Sequence, residues 1–77
     1  MPNRIKNWTY REVKKFLESN TFVLINTRGS HHYFSGNIEN IPRMVTVPFH
    51  GSIAILPRTM SSIITQSGIK KDVWFTN

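Results

Sequence analysis

A glycine and a serine between two strand-like runs constrain this chain more than any other feature. The run Phe22-Val23-Leu24-Ile25-Asn26-Thr27 leads into Arg28-Gly29-Ser30, and His31-His32-Tyr33-Phe34 follows at once. Glycine takes positive φ without steric cost, and a small hydroxyl residue after it completes a tight turn between strands. Side chains then alternate, so His31 and Tyr33 share one face while His32 and Phe34 share the other. Phe34 is the better core residue, and it carries His32 towards the buried side. His31 is left on the open face, beside Arg28 and an approachable glycine backbone. That is the place in the sequence to look for chemistry. Three plainer readings stand beside it: an ordinary half-exposed histidine, a piece of purification tag, and a metal ligand. Tags sit at termini, whereas this segment lies mid-chain. Adjacent strand residues do not easily bind one ion, and the chain has neither cysteine nor a His-x-x-x-His spacing.

A chain of 77 residues makes one small domain, near the size where a single core only just suffices. The expected division is a basic arm over 1–7, a core over 8–69 and a short tail over 70–77. With no cysteine, neither a disulfide nor a thiolate clip supports the fold, which suits a reducing cytoplasm. No segment approaches the roughly 18 consecutive apolar residues of a membrane span, and the start lacks a signal-peptide core. Ten Lys and Arg against four acids give a formal charge of +6 and a pI near 10.4. A balance of that kind attracts polyanions, nucleic acid first and anionic membrane second. The cations are spread along the chain, as on a folded basic surface.

In chain order, Thr9 and Glu12 form a capping box, and Trp8 and Val13 occupy the positions of a hydrophobic staple. Val13, Phe16 and Leu17 then make the buried stripe of a helix, with Arg11, Lys14, Lys15 and Glu18 outside it. Ser19-Asn20 should end that helix, Asn20 taking the left-handed cap. The first strand is expected from about Thr21 to Thr27. Its unbroken apolar run suggests a central strand, or one whose second face is partly covered. The second is the histidine stretch, ending at Ser35-Gly36-Asn37, and a polar connection holding Pro42 follows. The third is Arg43 to Val47, with Val45 and Val47 on one face, and Pro48 ends it. Phe49-His50-Gly51-Ser52 reads as a loop in which His50 packs, and Ile53-Ala54-Ile55-Leu56 as an apolar linker that must be packed down. Pro57 opens a second helix with Met60, Ile63 and Ile64 buried. Gly68 stands at its end, and Ile69 at the position that meets Ile64 in a Schellman ending. Lys70 to Phe75 is a short amphipathic tail. The order α-β-β-β-α with short connections implies an α+β fold, a three-stranded antiparallel meander with two helices on one face.

Three segments together give a family resemblance. They are Gly29-Ser30-His31-His32, then Val45-Thr46-Val47-Pro48-Phe49-His50-Gly51, then Thr59-Met60-Ser61-Ser62-Ile63-Ile64-Thr65-Gln66-Ser67-Gly68-Ile69. In this order and spacing the chain, over roughly residues 9 to 75, resembles HicA-type toxins, the RNA-cleaving halves of bacterial toxin–antitoxin pairs. The resemblance implies a fold similar to a double-stranded-RNA-binding domain, an mRNA interferase activity, and a HicB antitoxin that covers the active face. It also implies that the histidine of the glycine-serine-histidine turn is catalytic, a role that carries over to His31, with His32 as the alternative.

On that reading the reaction is ribosome-independent RNA cleavage with one histidine as general base on the substrate's 2′-hydroxyl. Neutral imidazole suits the role, and no metal or other cofactor is required. Arg28 and the amides of Gly29 and Ser30 are candidate donors to the phosphate, although Arg28 reads equally as a solvated strand-end charge and Ser30 more simply as a turn residue. Tyr33 is a candidate stacking surface for a base, or a half-buried sheet residue. Lys70, Lys71 and Arg58 add to the positive field around RNA, most simply as solvated charges. The alternative is a basic RNA-binding module without catalysis. Such modules place several lysines at the start of the last helix, where Pro57-Arg58-Thr59-Met60-Ser61-Ser62 has one cation.

Overall fold

The computed structural model describes residues 7–76, so the basic arm expected over 1–7 lies outside the described residues except for Asn7. The elements are α1 (Tyr10–Glu18), β1 (Val23–Arg28), β2 (His31–Ile38), β3 (Ile41–Pro48), α2 (Pro57–Ser67) and α3 (Lys71–Phe75). The strands form one antiparallel sheet in the order β1-β2-β3. This is the expected α-β-β-β-α order, followed by one further helical turn.

Both halves of the capping box form at the start of α1: Glu12 N–H donates to Thr9 Oγ1, and Thr9 N–H donates to a Glu12 carboxylate oxygen at 3.0 Å. A cap of this kind is worth about 1 kcal/mol. Its far end differs from expectation. Thr21, with φ 75, takes the left-handed position, while Asn20 folds its side chain back to the Phe16 carbonyl at 2.9 Å. The bend at Thr21 turns Phe22 into the core, where it is 1% exposed.

Phe34, Val45 and Val47 are fully buried on one face of the sheet, and they form one cluster with Val13 and Leu17 of α1 and Met60, Ile63 and Ile64 of α2. Burying each such side chain contributes about 1.5–3 kcal/mol. Trp74 of α3 closes the bottom of the cluster, stacked on Phe16 with ring centroids 4.1 Å apart and set edge-on to Trp8. Gly36 is required by close approach, since a Cβ there would stand 2.7 Å from the Phe22 ring.

Three expectations about the strands and the linker need correction. β1 is an edge strand with all six residues exposed, Val23 and Ile25 at 59% and 51%. The apolar run misled because Phe22, its most buried member, lies outside the strand, and a three-stranded meander has room for one central strand. A bulge at Ile25 shifts the register between Leu24 and Asn26. Second, β2 and β3 extend further than expected, to a two-residue turn at Glu39 and Asn40 with φ of 54 and 66, the pattern of a type I′ hairpin. Pro42 therefore lies in β3, opposite Asn37. The amide of Thr46 leaves the sheet to meet Gln66 Oε1 on α2 at 2.9 Å, so alternation turns positions 42, 44, 46 and 48 outward. Two of those are prolines, which have no N–H to present.

Third, the linker is not packed down as a whole. Ile55 is buried and its amide donates to the Trp8 carbonyl, but Ile53 and Leu56 are 69% and 71% exposed. At the end of α2, Gly68 has φ 73 as its position required. The Ile69 amide donates to Ser67 Oγ at 3.1 Å in place of the carbonyl a Schellman ending uses. Ser67 is itself fully buried; it donates to the Ile64 carbonyl and accepts the indole N–H of Trp74.

Candidate active site at the first hairpin turn

Arg28 and His31 are direct cross-strand partners, joined by Gly29 and Ser30. Gly29 has φ 59 and Ser30 does not share the positive value, the pattern of a type II′ turn. Nothing lies within 4 Å of where a Gly29 Cβ would stand, so the turn is open to an incoming group.

His31 is exposed and lies on the sheet face away from the helices. Cross-strand pairing puts Arg28 and Asn26 of β1, Tyr33 of β2, and Thr46 and Pro48 of β3 on that same face. Tyr33 is half-buried there. Arg28, Gly29, Ser30, His31 and Tyr33 thus come together. Lys70 and Lys71 do not join them: they precede and open α3, and Lys71 lines a cleft in the helix layer with Trp8, Ile55, Met60 and Ile64. Arg58 is exposed in the first turn of α2.

His32 has a different environment. Its Nδ1 shares a hydrogen bond of 2.7 Å with the Tyr10 hydroxyl, and the Phe49 ring stacks on it with centroids 5.1 Å apart and planes 13° from parallel. Tyr10 also meets both rings edge-on. Burial holds the Tyr10 phenol above its ordinary value; the charge of Lys14 opposes this shift and that of Glu18 adds to it. A neutral hydroxyl is therefore kept against the imidazole. His50, expected to pack within its loop, is exposed, and its carbonyl accepts the Ile53 amide. Among the described residues no three of His, Cys, Asp and Glu gather to hold a metal ion, and no helix is long and apolar enough to cross a membrane.

The open hairpin turn and the helix-covered sheet both lie inside residues 10–69, the span matched by the family described as HicA toxin of bacterial toxin-antitoxin. The chain belongs to the HicA toxin family. It is accordingly the toxin of a toxin–antitoxin system, and an antitoxin is its partner. No curated protein matches it. The HicA match ends at Ile69, so Trp74 and α3 complete the toxin's core from beyond the matched span. Sequence reasoning missed Tyr10 and Phe49. Phe49 stands within the family-like stretch Val45 to Gly51, directly after the proline opposite His31, which was the available signal.

Proposed function

We propose that this toxin is an endoribonuclease acting on mRNA without ribosome or metal, with His31 as the catalytic base. The observation that carries the reading is the exposed imidazole beside an open glycine turn, with the Arg28 guanidinium on its cross-strand partner. His31 takes the proton of a 2′-hydroxyl, the freed oxygen attacks the adjacent phosphorus, and the 5′-oxygen leaves with a proton from water. Product ends are then a 2′,3′-cyclic phosphate and a 5′-hydroxyl. Arg28 and the turn amides donate to the phosphate oxygens as negative charge develops on them. A HicB-type antitoxin blocks the reaction by covering this face.

The test is incubation of purified toxin with RNA, without ribosomes and with chelator present, followed by analysis of product ends. Cleavage giving cyclic phosphate supports the reading. Binding that weakens steeply with salt but yields no cleavage makes the chain a basic RNA-binding module instead.

A further inference from the structure

The proposed base lies on the open face, yet a groove of about 600 Å³ opens on the helix side of the same hairpin end. It is lined by Thr9, Tyr10, Arg11, Lys14, Phe49 and Gly51, together with Ser52. We infer that this groove is a second RNA-binding site, taking one base against Phe49 and the neighbouring phosphates on Arg11 and Lys14. The inference rests on the RNase reading, and it specifies how substrate is held beyond the cleaved bond.

Phe49 is 45% exposed although its ring stacks on His32 and stands perpendicular to the Tyr10 ring. The exposed part of the ring lines the groove as an aromatic platform braced by two other rings. Gly51, with φ 63 and nothing within 4 Å of where a Cβ would stand, leaves the groove wall low enough for a planar group to enter. Arg11 and Lys14 stand on successive turns of α1, and both continue into a shallower depression shared with Lys15 and Glu18. Lys14 is tied to Glu18 at 2.8 Å, which offsets part of its charge and leaves Arg11 the stronger phosphate ligand. Aromatic stacking beside a row of cations is the arrangement that holds single strands without reading their sequence.

Continuity with the hairpin turn decides which polyanion fits. The Phe49 amide donates to the Ser30 carbonyl at 2.7 Å, and Phe49 follows Pro48, the cross-strand partner of His31. A strand with its scissile phosphate at His31 therefore crosses the sheet end at Gly29 and Ser30 and reaches Phe49 directly.

The test uses full-length protein carrying His31→Ala and a labelled single-stranded RNA of about 10 nucleotides, within the usual site size for a small domain. Phe49→Ala should weaken binding by about 5- to 150-fold, the range for one lost base stack, and Phe49→Trp should retain it. Arg11→Ala combined with Lys14→Ala should flatten the salt dependence by about 1.4 log units per log unit, or about 0.7 per phosphate. These two residues are on the outer face of α1, so that variant reports on the groove even if Phe49→Ala loosens the His32 cluster. Unchanged affinity and salt slope in the folded cation variant, with RNA still cleaved by the active chain, overturn the groove alone. No RNA binding and no cleavage by any version overturn the RNase reading as well. Poly-glutamate has charge but no base to stack, so it should compete poorly; competition equal to that of RNA would reassign the groove to an acidic protein segment.

Discussion

The Tyr10 hydroxyl and His32 Nδ1 meet at 2.7 Å across the gap between α1 and β2, and this bond makes two adjacent histidines chemically different. One is held by a hydrogen bond and a stacked ring. The other faces water one residue earlier. Alternation along a strand separates them, and the packing of Phe34 fixes which goes where.

His31→Ala should abolish cleavage and growth inhibition while leaving the thermal midpoint nearly unchanged, because exposed substitutions usually stay within about 0.5 kcal/mol. His32→Ala should instead cost about 0.5–3 kcal/mol and leave activity in the folded fraction. Thermal midpoints and ribosome-free cleavage measured on both variants check this. Normal cleavage by His31→Ala, with none from a well-folded His32→Ala, would assign the site to His32.

Gly29→Ala isolates backbone conformation from packing, since its methyl group meets no neighbour. The positive φ alone should cost about 1–3 kcal/mol. Displacement of His31 by the altered turn should lower cleavage by as much as about 100-fold. Activity and stability both equal to the parent's in that variant would mean the turn tolerates a side chain and does not position the imidazole.

Ser67→Ala removes the acceptor for two buried donors, the Trp74 indole and the Ile69 amide. A loss of about 1–3 kcal/mol in denaturant unfolding is expected. The same substitution made in a Trp74→Phe background should cost less, because one of the two donors is already gone. Equal costs in both backgrounds would show that the indole bond contributes nothing.

Alkaline pH provides a test of the Tyr10 environment. Burial raises its folded value above the 10.0 of a free phenol, so the unfolded chain loses this proton first as pH rises. The associated stability is fully present below pH 10 and is lost as pH climbs through the folded value. Tyr10→Phe should abolish that alkaline decline while costing about 0.5–1.5 kcal/mol at neutral pH for the missing hydrogen bond. Thermal midpoints of both proteins across the alkaline range measure it.

Much of the fold was legible because local chemistry and tertiary packing agree. Thr9 with Glu12, Pro57 at the head of α2 and Gly68 at its end each mark a helix boundary in the sequence, and each does so in the structure. Readings failed where one residue's burial depends on distant partners. Phe22 belongs to the core only because Thr21 adopts positive φ, which a threonine does not announce. Pro42 looked like a breaker because its tolerance depends on which way an absent N–H would have pointed. At the candidate site the opposed facing of the two histidines followed from parity, whereas the Tyr10 and Phe49 rings around His32 come from separate elements that no spacing rule connects.

The outer side of β3 has a consequence for how molecules of this kind accumulate. Pro42 and Pro48 offer no hydrogen, the Thr46 hydrogen is already given to Gln66, and Met44 alone of those four outward positions keeps one to offer. A foreign strand finds carbonyl acceptors there but a single amide donor, so a full ladder does not form. Among the described residues, strand addition is therefore disfavoured at β3 relative to β1, the other border of the sheet. Val23, Leu24 and Ile25 are bare at that other border, and the scarcity of donors at β3 works against a polymer, which needs two open ends on every unit.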